Sequence, residues 1–425
     1  MARKARALPY LIVLLSVSTP GALAQSLPRP QPLLNTALMN GRWFNGKSFD
    51  TRNVYSVNGR FTFKRPARVD RTIDLSGMWV VPPFGEAHNH NINGIEGRDR
   101  AVIQRFLSDG VFYVKVPGNL PLTTEAKDRL PLNRPDGVDA LFAQGAMLTA
   151  TGGHPQILAD FVWLRPGYFP GHTKETLKDY RYFTIDSDAN LKTKWPRITG
   201  QRPDFIKVIL WHSDEFEKRK RDADYYGQYG LDPRLLPKVV AKAHAAKLKV
   251  TAHVSDAGDF HATVAARVDE IAHLPLTGLT PIAAEDAKLA ARRSIPVNTT
   301  CATLRSLPPP IVKDKLPQLL ELQLANLRLL HRSGVMLTIG SDNVSDSSVN
   351  EFEYLQGLGV FDNLTLIKMW AEATPKAIFP NRRIGALVEG YEASFLALDG
   401  NPIEDLKNVR RIRLRFKQGF LLEPR

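Results

Sequence analysis

Residues 40 to 80 alternate apolar and polar positions in short runs. Asn58-Gly59 sits between VYSV and RFTFK, a strong hairpin signal, and Asn45-Gly46 marks a second turn. Ile73 to Val81 adds another strand-like stretch. The last 35 residues repeat this texture, with a strand predicted at Ala393–Leu398 and partial alternation from Val409 to Arg415. The middle is different. Apolar runs recur at Phe84–His90, Phe112–Val116, Met147–Ala150, Phe205–Leu210, Lys249–Val254, Glu270–His273, Ser294–Asn298 and Met336–Ile339. Helical spacing lies between several of them, weakly at Ile103–Ser108 and Asp160–Leu164. It is better at Leu235–Lys247 and Ala283–Arg293, and clearest at Pro317–His331. Eight short strands alternating with helices predict an α/β chain, a (β/α)8 TIM barrel, enclosed by two β-rich chain ends. A doubly wound sheet is the competing arrangement, and the placement of polar residues discriminates: a barrel gathers its chemistry at the C-terminal ends of several strands.

The N-terminus changes the picture of where the chain works. Arg3, Lys4 and Arg6 precede an apolar run from Tyr10 to Val17, and Ala22-Leu23-Ala24 supplies small residues at a cleavage point. This layout predicts a secretory signal peptide and a periplasmic or secreted protein, with no membrane span. The expected organisation is therefore a signal over 1–24, a β-rich segment over 25–80, the barrel over 81–379 and a second β-rich segment over 380–425. Cys301 is the only cysteine, which excludes an intrachain disulfide and a cysteine-based zinc site; it reads as a small buried hydrophobe. The formal charge is +14, yet basic residues are scattered among acids. The densest knot, FEKRKRDAD from Phe216 to Asp224, is short, so no nucleic-acid partner is expected.

The strand ends carry the candidate chemistry. The first ends in His88-Asn89-His90. Two imidazoles at i and i+2 share one face of a strand and can hold one divalent metal. Lys207 interrupts the apolar run FIKVIL, where a charged amine is costly. Desolvation would lower its pKa, and a neutral amine can combine with carbon dioxide to give a carbamate able to bridge two metals. His253 and His273 stand near the ends of the fifth and sixth strands. Asp342 follows the eighth, placed to take a proton from a metal-acidified water.

With these residues in place, the sequence resembles the amidohydrolase superfamily, in its imidazolonepropionase-like and prolidase-like branch. The resemblance spans essentially all of the chain after the signal, including the closing stretch ALVEGYEASFLALDGNPIEDLKNVRRI, and it implies that residues 25–80 and 380–425 join in a small β-sandwich domain built from both chain ends. It implies two divalent metal ions held by His88, His90, His253, His273 and Asp342, with carboxylated Lys207 as a bridge; the ligands suit zinc, and manganese, cobalt or iron could also occupy such a site. The implied reaction uses a metal-activated hydroxide to cleave a C–N amide bond in a small peptide or N-acyl amino acid, with Asp342 moving the proton. Lactone or phosphotriester hydrolysis on the same centre is an alternative, as is a secreted metal- or ligand-binding protein without turnover. Glu86 stands where relatives carry aspartate, and Ser394 where they carry an acid. His154, in the GGHP loop, is the candidate to hydrogen-bond the substrate carbonyl. Tyr225, Tyr226 and Tyr229 are candidate pocket walls. Arg165 and the Lys218–Arg221 knot are candidates for a substrate carboxylate, and His212 is a candidate partner of Lys207. Relatives often assemble, so a homo-oligomer is possible.

Overall fold

The computed structural model describes residues 32–165, 168–306, 314–343 and 346–422. The predicted signal segment lies outside them. Both chain ends join in one eight-stranded sheet. Thr36–Phe44, Phe49–Val57, Arg60–Thr62, Arg71–Asp74 and Trp79–Val81 come from the N-terminal segment. Phe395–Leu398, Ile412–Lys417 and Phe420–Leu422 come from the C-terminal segment. The Asn58-Gly59 turn forms as expected. Both residues have positive φ, 50° and 72°, and Val57 pairs with Arg60 across them. A register shift between Leu38 and Gly41 lets Thr36–Phe44 pair with Arg71–Asp74 along its first half and Trp79–Val81 along its second. The sheet curls until Trp43, Phe61 and Phe395 meet, with ring centroids 5.3 to 6.4 Å apart.

The middle of the chain builds two parallel arcs. One holds Phe84–Glu86, Val111–Val116 and Asp139–Phe142. The other runs through Phe183–Thr184, Met147–Thr149, Phe205–Ile209, Lys249–His253, Glu270–Ile271, Val297–Asn298 and Leu337–Thr338. Backbone bonds from Ala87 N to Ile339 O (3.0 Å) and from Asp342 N to His88 O (2.8 Å) join the first of these strands to the last. The predicted third strand forms as Met147–Thr149, and Asp139–Phe142 is a further strand that the sequence pattern does not predict. Asp139–Phe142 pairs with Val111–Val116, and Met147–Thr149 pairs with Phe205–Ile209. Between them Gln144 and Gly145 turn the chain at positive φ.

The helices Leu236–Ala245, Ala284–Arg292 and Leu316–Arg332 match the spacing seen in the sequence. The weak signal near residue 160 becomes a π-helix, Ala159–Trp163. Ala257–Ala266 and Ser348–Leu358 are further helices that lie among strand-end residues. No helix among the described residues is long and apolar enough to cross a membrane. The first strand is pinned from outside. Trp370 stacks on Phe84 at 3.7 Å between ring centroids and donates its indole N–H to Gly85 O at 3.0 Å. A side chain at position 85 would strike Thr374, and Thr374 Oγ1 accepts from Ile339 N at 2.9 Å. These contacts fix the two strand ends that carry His88 and Asp342.

Candidate metal centre

The first strand stops at Glu86, so His88 and His90 lie beyond it. The expectation that an extended strand aligns them is corrected here. After Glu86 the backbone is held by other contacts: Asn89 N donates to Lys115 O at 3.1 Å, and His88 O accepts from Asp342 N. The two rings nevertheless converge. His88 Nδ1 lies 3.1 Å from Ala272 O, and His90 Nδ1 lies 2.9 Å from Gly118 O. A carbonyl can only accept, so each Nδ1 carries the proton and each Nε2 keeps its lone pair. Those two Nε2 atoms face one another at 3.2 Å. Asp342 Oδ1 joins them at 3.6 Å from His88 and 3.2 Å from His90, all three donors falling within 4.8 Å of one another. Three lone pairs at this separation repel unless a cation sits among them. The donor set therefore fits a divalent metal. Gly340 makes the approach possible, since a Cβ there would lie 2.7 Å from His88 N and 2.8 Å from Asn298 Oδ1. Asp342 has φ 46°, a left-handed conformation that aspartate tolerates better than most residues.

His273 and His253 stand beside this group. The His273 ring is 4.4 Å from that of His88 and 4.4 Å from that of His253. Its Nδ1 meets Thr300 Oγ1 at 2.9 Å and Asp342 Oδ2 at 3.8 Å. Register places His253 opposite Ile209 and Thr251 opposite Lys207 on the adjacent strand. Lys207 is buried, and its Nζ has no hydrogen-bond partner among the described residues. Burial drives its pKa down to about 7, with Asp342 and Glu270 only partly opposing the shift. His88, His253 and His273 are held well below the usual histidine range by burial first, and by the Lys207 charge among the other causes. They are neutral at pH 7 and free to ligate. Lys115 contrasts with Lys207. It is equally deep but satisfied by Glu270 at 2.7 Å and Thr251 at 2.7 Å. A cavity of about 580 Å³ near the N-terminal ends of the strands, beside Lys115 and Glu270, is lined by none of the ligating residues.

The description of an amidohydrolase family matches residues 215–419, a span holding His253, His273 and Asp342. Over those residues the chain is similar to the amidohydrolase family. A comparison with curated proteins found no match. Solved structures share the fold. A prolidase complexed with N-methylphosphonate-L-proline is 18% identical, with TM-score 0.69, over 92% of this chain and 100% of that one. A putative prolidase from Bifidobacterium longum is 15% identical, with TM-score 0.71, over 92% and 95%. A. niger ochratoxinase is 17% identical, with TM-score 0.71, over 92% and 96%.

Glu86 supports His88 from behind. Its Oε1 accepts from His88 N at 3.1 Å and Ser341 N at 2.8 Å, while Oε2 is buried without a partner among the described residues. Burial raises its pKa to about 8 against those two hydrogen bonds, and the Asp342 charge adds to the rise. The folded state thus holds a proton that the unfolded chain releases above about 4.5, and stability falls as pH rises from there to about 8. Glu86→Gln removes this titration. Urea unfolding of the metal-free proteins should show near-equal stability at pH 5. At pH 8 the variant should lead by on the order of 2–4 kcal/mol. A gap independent of pH would show that Glu86 is ionised in the fold.

His154 stands among the candidate ligands' neighbours. Its ring is 5.6 Å from that of His253 and 4.7 Å from that of Trp211, and its backbone N–H donates to Tyr229 O at 2.7 Å. Burial lowers its pKa to about 4, so at neutral pH it is an uncharged hydrogen-bonding group. Trp211 is a neighbour that sequence reasoning misses. It stacks on His253 at 5.3 Å with the rings 17° apart, and its position four residues past Lys207 is the signal available in the sequence. Tyr229 is buried and donates to Thr151 O at 2.7 Å, which spends its hydroxyl on the loop. Tyr226 is exposed, and Tyr225 packs beneath Arg219. Arg165 is exposed, and Arg219 pairs with Glu215 at 2.7 Å. His212 does not reach Lys207. Its Nδ1 meets Asp256 at 2.6 Å and its Nε2 lies 3.4 Å from Thr277 Oγ1, tying three connections together. Cys301 is buried as expected.

Proposed function

We propose that this chain is a metal-dependent hydrolase of C–N amide bonds, acting on small peptides or N-acyl amino acids inside a closed (β/α)8 barrel. The observation that carries the reading is the convergence of His88 Nε2, His90 Nε2 and Asp342 Oδ1, with both Nδ1 protons committed to carbonyls. A divalent ion there, zinc by the ligand chemistry, would supply Lewis acidity and lower the pKa of water. His253 and His273 would hold a second ion. The Lys207 amine, neutral near its lowered pKa, would add carbon dioxide, release a proton and become the bridging carbamate. Asp342 takes the proton of the attacking water and delivers it to the leaving nitrogen as the acyl carbon gains oxygen and the C–N bond breaks. The products are a carboxylate and an amine. His154 donates its ring N–H to the substrate carbonyl oxygen, and Trp211 walls the site against bulk water. Amide substrates are favoured over lactones and phosphotriesters because several structures of similar fold are named prolidases. The basic, apolar, small-residue start of the sequence supports export to the periplasm.

The test begins with metal content, measured on the purified protein before and after chelation and reloading with zinc and bicarbonate. Amine release from dipeptides and N-acyl amino acids is then followed, with a lactone and a phosphotriester as controls. Zinc retained by the wild type, with zinc-dependent amine release, supports the proposal. Ester hydrolysis alone would reassign the bond, and absence of bound zinc after reloading would remove the catalytic reading.

A further inference from the structure

Arg181 is a buried cation without an anion. It is 3% exposed. It belongs to the long connection between Met147–Thr149 and Phe205–Ile209, which forms a separate apolar cluster with Trp163, Phe169, Tyr182 and Ile209. Its guanidinium lies 3.8 Å above the Trp163 ring and 5.3 Å from that of Phe169. Nη2 donates to Gly118 O at 3.2 Å, the same carbonyl that takes His90 Nδ1 at 2.9 Å. Nε and Nη1 are buried with no partner, and no carboxylate pairs with Arg181 among the described residues. A buried guanidinium costs several kcal/mol unless a counter-ion meets it. Burial drags its pKa down to about 10, with only Tyr168 and Tyr182 opposing. Its charge contributes to the lowered pKa of His154.

We propose that Arg181 binds a free carboxylate of the substrate, which makes the substrate class amides that carry a carboxylate next to the scissile nitrogen: dipeptides and N-acyl amino acids, not internal peptide bonds or neutral amides. The inference rests on the amide-hydrolase reading for the bond, but the anion site stands on its own geometry. One shared carbonyl separates the guanidinium from a ligand imidazole. An α-carboxylate is attached to the carbon that bears the amide nitrogen, so a carboxylate at Arg181 keeps that nitrogen near the ligand cluster. Trp163 and Phe169 hold the guanidinium plane, which suits a planar, two-point match to carboxylate oxygens.

Calorimetric binding to the zinc-loaded full chain tests this with leucine, methionine and proline, each against its amino alcohol, which replaces the carboxylate by a hydroxymethyl group. Wild type should bind at least one acid about 30-fold more tightly than its alcohol. Arg181→Met should abolish that preference by weakening the acid alone, and Arg181→Lys should restore part of it. The melting temperature of Arg181→Met should be unchanged or higher, because the variant removes an unpaired charge. Equal weakening of acid and alcohol, a lower melting temperature with preference intact, or no binding of any acid by wild type each overturns the proposal. Loss of the preference in Arg181→Met without amide turnover by wild type leaves the carboxylate site standing and removes the hydrolase reading. Turnover with a preference indifferent to Arg181 does the reverse.

Discussion

Asp342→Asn should lower amide turnover by about 10³-fold or more while the protein remains folded. Two roles meet in this side chain. On the proposed mechanism it supplies the negative charge of the compact donor group and is the carboxylate that accepts the proton. General-base catalysis alone accounts for about 10²–10⁴-fold. Asparagine keeps the shape and is, after glycine, among the residues that best tolerate positive φ, so the 46° conformation and the bond from residue 342 N to His88 O should survive. The two roles separate in a zinc titration. If turnover stays low at saturating zinc, the loss belongs to proton transfer. If saturating zinc restores it, Asp342 is a ligand only. A variant that retains more than a tenth of wild-type turnover at ordinary zinc would exclude both roles.

The same residues show what a sequence can disclose. His253, His273 and Asp342 each follow an apolar run, and Lys207 breaks one. Local order alone exposes them, because a parallel strand that ends in a ligating side chain looks the same wherever its neighbours lie. The Asn58-Gly59 hairpin is legible for a similar reason, since its turn chemistry is complete within four residues. Arg181 is not legible. Nothing in KDYRYF separates a buried guanidinium from a surface one, and only the fold of the whole connection brings it beside Gly118. Charge density points instead to Arg165, which is exposed, and to residues 218–221, of which Arg219 pairs with Glu215. The strand Asp139–Phe142 is hidden because its four residues begin with a buried aspartate and are too few to show an alternation. The apolar pattern carries the first strand on to His90. Its true end at Glu86 depends on contacts with Lys115 and Asp342, residues distant in the chain.

Lys207→Met should make the metal-free protein more stable and the enzyme inactive, and that opposition is the mark of a group kept for chemistry. The Nζ is buried without a partner among the described residues, and burial lowers its pKa from 10.5 to about 7. Between those values the unfolded chain holds a proton that the folded chain does not, so wild-type stability is greatest above about 10.5. It falls as pH drops to about 7 and is level below. Methionine fills a similar volume and does not titrate. Chelated proteins unfolded in bicarbonate-free urea should therefore differ little at pH 10. The gap should widen in favour of the variant as pH falls, reaching on the order of a few kcal/mol at pH 7. With zinc and bicarbonate restored, the wild type should recover turnover and the variant should remain at least about 10³-fold slower, having no amine to form a carbamate. Zinc content adds a further check. The variant should keep the ion held by His88, His90 and Asp342 and lose the one shared with His253 and His273. A variant that is less stable than wild type at pH 7 would mean that the amine finds a partner in solution. Full turnover by the variant would mean that the barrel works with a single ion and that the lysine serves only to fill space.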